Sequence, residues 1–171
     1  YTGNLQNIPA ETDTEYAPKN VLLSPLNGYT LFEADYSALE MRVGAWVCET
    51  LTCPDRDKTL TELIVNDTDM HTYTRDTANV PETLLHGQPV SVENVQAYYA
   101  DKHVNVSNET DESLIDKFMH DARKVAKITN FLCMYGGTGY ALTRVLPLSR
   151  PVADTIVNGW RQSYPAIVEA F

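Results

Sequence analysis

Apolar and polar positions along this 171-residue chain change period several times, and each change marks an element. Residues 1–28 are rich in Pro, Asn and Thr and end on the turn signal Leu26-Asn27-Gly28. Residues 29–36, Tyr-Thr-Leu-Phe-Glu-Ala-Asp-Tyr, are β-rich and follow that turn, so they predict a strand. Ser37 is a good N-cap, and Glu40 stands three residues on, the capping-box spacing. Helical periodicity then covers 38–49. Further helices are predicted over 58–65 and 69–78, the second entered through Asp69 or Thr68. Residues 79–110 mix Pro, Gly, Val and Asn around one helical stretch at 90–100, and the polar stretch 105–112 follows. This region reads as a variable excursion, not a separate domain. One long helix is predicted over 113–134 and is broken by Gly136-Gly137-Thr138-Gly139. A short helix at 140–146 stops at Pro147. A last helix, capped by Ser149 with Pro151 in its first turn, runs past Trp160 and Tyr164 to Pro165 and beyond. The pattern predicts an α+β, mostly helical chain, with one strand feeding a helical body.

Composition narrows the class. Hydrophobic residues at 43% and aromatics at 9% suffice for a packed core. There is no repeat, and no apolar run approaches the roughly 18 residues of a membrane span, so no membrane partner is expected. The N-terminus has no Met, no basic region and no apolar stretch, and reads as a cut inside a longer chain. Phe171 follows an unbroken helical pattern, so the C-terminus reads the same way. A net charge of −10 argues against general attraction to nucleic acid. The charge is uneven, however. Acidic residues crowd the middle, whereas 123–171 holds Arg123, Lys124, Lys127, Arg144, Arg150 and Arg161 against only Asp154 and Glu169. Cys48, Cys53 and Cys133 form no CxxC, and the histidines are scattered. Reduced thiols in a cytoplasmic compartment, without structural zinc, are the expected state.

Candidate chemistry sits in two places. Arg123, Lys127, Phe131 and Tyr135 recur every four residues and are closed by Gly136. At about 3.6 residues per turn such a row stays near one helix face. Two cations one turn apart suit a polyphosphate, and the aromatics beyond them suit a sugar and base. A solvated basic edge beside a core stripe has the same spacing. The second cluster is Asp35-Tyr36-Ser37-Ala38-Leu39-Glu40-Met41-Arg42. A carboxylate at a strand end, with the next backbone carbonyl, offers the hard oxygen ligands that Mg²⁺ takes when it is bound mainly through substrate phosphates. An Asp stabilised by the following helix dipole is the alternative there. His71, at the start of a helix, can donate to a phosphate oxygen or can simply cap that helix.

Taken together, these segments resemble the family A DNA polymerases, the group of bacterial DNA polymerase I and its phage and mitochondrial relatives. Asn4-Leu5-Gln6-Asn7-Ile8-Pro9 is similar to the segment that contacts primer–template, and Asp35-Tyr36-Ser37-x-x-Glu40-x-Arg42 to the first catalytic motif. Asp69-x-His71-Thr72 is similar to the phosphate-contacting histidine segment. Arg123-x3-Lys127-x3-Phe131-x3-Tyr135-Gly136 is similar to the fingers-helix motif. The resemblance runs in family order from Asn4 to about Pro165, apart from the region near 79–110.

The resemblance implies part of a palm sheet over 1–50 and a helical fingers subdomain over 51–171, with 79–112 as the excursion. It implies that Asp35 holds two Mg²⁺ ions, one of them shared with the Tyr36 carbonyl. Ser37 would lie at the nucleotide, and Glu40 would gate against a ribose 2′-OH. Arg123 would bind the γ-phosphate, His71 the β-phosphate and Lys127 the α/β region, with Arg123 and Lys127 assisting catalysis. Phe131 would stack at the incoming sugar and base. Tyr135, with Gly136, would pack by Glu40 where the template base enters. Gln6, Asn7 and Arg42 would touch DNA. The implied partners are primer–template DNA, deoxynucleoside triphosphates and the remainder of a polymerase chain, in DNA replication or repair, within a bacterial cell, a phage-infected host or an organelle.

Departures also carry expectations. The family's second carboxylate lies in a His-Asp-Glu segment, and none occurs here. The isolated chain is therefore expected to be an inactive fragment. Ala38 stands where the family often has Gln, and Thr2-Gly3 where Pro is usual. The alternatives are a non-catalytic nucleotide- or DNA-binding module on the same scaffold and a single-subunit RNA polymerase relative. Tyr36-Ser37, Glu40 and Phe131 argue against the latter. A purely structural helical domain would require four coincidences.

Overall fold

A computed structural model of the chain describes Tyr36, residues 39–52 and residues 58–170. Its helices in chain order are α1 (Leu39–Val47), continued by a π-helical turn (Cys48–Thr52), α2 (Thr59–Val65), α3 (Met70–Thr77), α4 (Val80–Leu84) and α5 (Val92–Asp101). They are followed by α6 (Asp111–Met134), α7 (Gly139–Val145), α8 (Arg150–Ser163) and α9 (Pro165–Ala170). The chain divides into two compact units, Tyr1–Ser37 and Ala38–Phe171, and these helices all belong to the second.

The organising feature is a ridge on α6. Leu114, Phe118, Ala122, Ala126 and Asn130 recur every four residues, and all are buried. Alanine at two of these positions keeps the ridge low, which lets neighbouring helices approach closely. Helices α1, α3, α4, α5, α7 and α8 all pack on α6. Helix α8 contributes Ala153, Ile156, Val157 and Trp160, spaced three or four apart as an apolar stripe requires. Among the described residues every buried side-chain nitrogen and oxygen has a hydrogen-bond partner.

The mostly helical expectation holds. No strand occurs among the described residues, so the palm-sheet part of the α+β expectation has no support in them. The strand expected over 29–36 lies outside them except for Tyr36, which is in no regular element. Helix α6 starts at Asp111, two residues before the predicted start at 113, because the Thr110 hydroxyl accepts from the Ser113 N–H at 3.2 Å and caps it there. The excursion contains a helix the periodicity does not reveal. Helix α4 is five residues long, has Pro in its first turn, and buries Val80, Pro81 and Leu84 against α3, α6 and α8. The last predicted helix divides at Tyr164, where Pro165 opens α9.

Candidate functional site

Helix α3 begins with an Asp that does three things. The Asp69 carboxylate accepts from the His71 backbone N–H at 3.0 Å and from the Thr72 hydroxyl at 2.8 Å, which satisfies donors left over at the helix start. The oxygen shared with Thr72 also accepts from Arg123 Nε at 2.6 Å. A local cap is thus also the tie between α3 and the middle of α6. Partial burial alone raises the Asp69 carboxyl pKa. Hydrogen bonds from Arg123, Thr72 and the His71 N–H outweigh it and hold the group well below the usual carboxylate range.

Arg123, Lys127 and Phe131 each follow a residue of the buried α6 ridge by one position, so they form the neighbouring row about 100° around the helix. Arg123 and Phe131 are half-buried, and Lys127 is exposed. Among the described residues Lys127 makes no ion pair, whereas Lys124 reaches Asp121 at 3.3 Å. The His71 ring lies against Phe131, with centroids 5.8 Å apart and planes tilted by 52°. The α3–α6 packing thus brings His71, distant in the chain, into one patch with Arg123, Lys127 and Phe131 of a single α6 row.

Behind the patch lies a buried polar cluster that the motifs do not reveal. Asn130 Nδ2 sits 2.9 Å from His71 Nδ1, and Asn130 Oδ1 accepts from Trp160 Nε1 at 2.8 Å. The Thr74 hydroxyl is 2.9 Å from the same Oδ1 and 2.8 Å from the Tyr164 hydroxyl. Burial lowers the His71 pKa. The Asp69 charge opposes this, and the charges of Arg123 and Lys127 reinforce it, so His71 favours the neutral form. Asn130 is the residue that the motifs do not mark, whereas Asp69 is marked as a helix entry but not as the partner of Arg123. The available signal for Asn130 was an Asn, a weak helix former, inside a strongly apolar period.

Helix α6 ends in a Schellman motif. Gly136 adopts φ +74° and donates to the Cys133 carbonyl at 3.0 Å, while Gly137 donates to the Leu132 carbonyl at 2.9 Å. This leaves Tyr135 at the helix end and exposed. Tyr135 and Gly136 line an open, largely apolar groove of about 650 Å³ with Met134 and with Leu39, Glu40, Val43 and Gly44 of α1. Glu40 is half-buried and Arg42 exposed on α1. Gln6, Asn7, Asp35 and Ser37 lie outside the described residues. Among the described residues, no three His, Cys, Asp or Glu side chains are grouped to hold a metal ion. None of the described helices is long and apolar enough to cross a membrane.

The chain is similar to DNA polymerase I of Caldicellulosiruptor bescii, with 28% identity over 166 residues, 97% of this chain. It is similar to DNA polymerase I of Bacillus caldotenax, with 26% identity over 165 residues, and to the DNA polymerase of Mycobacterium phage L5, with 24% identity over 166 residues. It spans 15%, 14% and 20% of the lengths of these relatives. No family model and no solved structure matches the chain.

Proposed function

We propose, for a chain that is family A DNA polymerase-like over 96–97% of its length, that it binds a deoxynucleoside triphosphate as the fingers-bearing part of a template-directed DNA polymerase. One observation carries the proposal. The tertiary packing sets a neutral imidazole, a guanidinium, an exposed ammonium and an aromatic ring in one patch, through His71, Arg123, Lys127 and Phe131. Those are the donors and the plate that a triphosphate, sugar and base require. Arg123 takes the far end of the triphosphate, His71 the middle and Lys127 the end nearest the reacting phosphorus, while Phe131 stacks at the sugar and base. Charge neutralisation and positioning are the main sources of rate in phosphoryl transfer, and these residues supply both.

Asp35 and the Tyr36 carbonyl would hold Mg²⁺, a hard-oxygen set of the kind the ion accepts alongside phosphate oxygens. When bound, the ions stabilise the attacking and leaving oxygens of the displacement. The second carboxylate, the thumb and the rest of the palm belong to the remainder of a polymerase chain, with primer–template DNA as the partner. Glu40 excludes the ribose 2′-OH, and Tyr135, on the same groove, marks where the template base enters. Residues 1–50 supply palm and 51–171 fingers, and a cytoplasmic setting suits the assembly.

The test is equilibrium binding of a Mg²⁺–deoxynucleoside triphosphate to this chain and to Arg123→Ala and Lys127→Ala. Loss of a charge-assisted hydrogen bond, about 1.5–3 kcal/mol, should weaken affinity roughly 10- to 100-fold. Unchanged triphosphate affinity, with only DNA binding reduced, would overturn the assignment of this face.

A further inference from the structure

Asn130 is fully buried in the penultimate turn of α6, at a ridge position whose neighbours at 122 and 126 are alanine. A buried amide inside a helix needs a full set of partners, and here the partners allow only one orientation. The Trp160 indole N–H can only donate, and it lies 2.8 Å from Oδ1. On the other side, Nδ2 lies 3.5 Å from the Met70 carbonyl, which can only accept. Both ends of the amide are therefore assigned, and the NH₂ group is the one that faces His71 Nδ1 at 2.9 Å. A donor aimed at Nδ1 requires a lone pair there. The neutral ring must then carry its proton on Nε2.

We propose that Asn130 is a positioning residue that locks His71 in the Nε2–H tautomer and in a fixed ring plane, so that the imidazole presents a neutral N–H donor to a phosphate oxygen. The lock extends into the core. Thr74 and Tyr164, both buried, hold the Oδ1 side at 2.9 Å and, in turn, 2.8 Å. Phe131 flanks the ring. Asp69, Arg123 and Lys127 are the charged groups that act on it. A protonated Nδ1 would set N–H against N–H, so the lock also disfavours the imidazolium. The purpose assigned to the lock rests on the triphosphate reading, whereas the tautomer does not.

The experiment is a long-range ¹⁵N–¹H correlation spectrum of the histidine rings in the 171-residue chain, with His71 assigned by its loss in His71→Gln. The expected result is a pure Nε2–H pattern. In Asn130→Asp the amide donor becomes an acceptor of similar shape. Nδ1 should then gain a proton, and the His71 titration midpoint should rise by about one pH unit or more. A Nδ1–H or mixed pattern in the wild type would overturn the proposal, whether or not the variant folds. So would an unchanged His71 pattern in an Asn130→Asp chain with wild-type circular dichroism. Adding Mg²⁺–deoxynucleoside triphosphate separates the two readings. A pure Nε2–H pattern that the nucleotide leaves unmoved upholds the lock and removes the phosphate role of His71.

Discussion

Replacing Asp69 with Asn should separate the two jobs of one carboxylate. Asn caps a helix about as well as Asp, so its side-chain oxygen can still accept from the His71 N–H. What disappears is the ion pair to Arg123. That contact is 2.6 Å long, but its side chains are 33% and 43% exposed, which puts it in the surface class worth about 0.2–1 kcal/mol. Asp69→Ala loses the pair and the cap together, about 1 kcal/mol more. For a chain of this size each kcal/mol moves the midpoint by about 2–4 °C. The Asn variant should therefore melt at most a few degrees lower, and the Ala variant about 2–8 °C lower. Urea and thermal denaturation followed by circular dichroism would measure both. Salt should shrink the Asn difference and leave the cap component in place.

The pH dependence follows from the same contacts. The folded carboxyl titrates below its unfolded value of about 3.9, so on acidification the unfolded chain takes up the proton first. The stabilisation by Asp69 is complete above that unfolded value and is lost as pH falls through the folded one. Wild type and Asp69→Asn should therefore converge in strong acid and differ at neutral pH. If the Asn and Ala variants lost equal stability at neutral pH, the cap would be contributing nothing. If the Asn variant were the more stable protein at neutral pH, the sign assigned to the Arg123 pair would be wrong.

Other positions give sharper contrasts. A Cβ at Gly159 would lie 2.9 Å from the Ala78 carbonyl oxygen and 3.0 Å from its Cα, backbone that cannot yield without moving α8 off the end of α3. Overpacking of about 1–3 kcal/mol, offset by about 1 kcal/mol of helix propensity, makes Gly159→Ala a net destabilisation on the order of 1 kcal/mol. At Gly44 a Cβ meets the Met134 methyl, the flexible end of a side chain, so Gly44→Ala should be near neutral. Urea midpoints of the two variants in the reverse order would refute this comparison. Burial pushes the Cys133 thiol up to about 12, so native alkylation by iodoacetamide at mildly alkaline pH should be far slower there than in the denatured chain. Peptide mapping that finds equal rates at Cys133 would show the site to be open.

Local features were legible in the residues alone. The four-residue row Arg123, Lys127, Phe131, Tyr135 marks a helix face, and Gly136 marks its end, because a Schellman cap needs a residue that tolerates positive φ. The capping residue of α3 was one of two candidates. Asp69 serves, its carboxylate accepting from the His71 backbone N–H and also from Thr72 and Arg123. Helix α4 was not legible, since five residues with a Pro in the first turn are too short to display a period.

The residue order determined by itself that this chain is mostly helical, that one face of α6 carries two cations and Phe131 with Tyr135 just past its end, and that His71 stands at a helix start. Only the tertiary structure decided which of these meet. Arg123 is 54 positions from Asp69, and Asn130 is 59 from His71 and 30 from Trp160. Periodicity reports which face of an element is buried, but not what buries it. The partners of the amide of Asn130, and with them the proton of His71, are set by how α3, α6 and α8 pack.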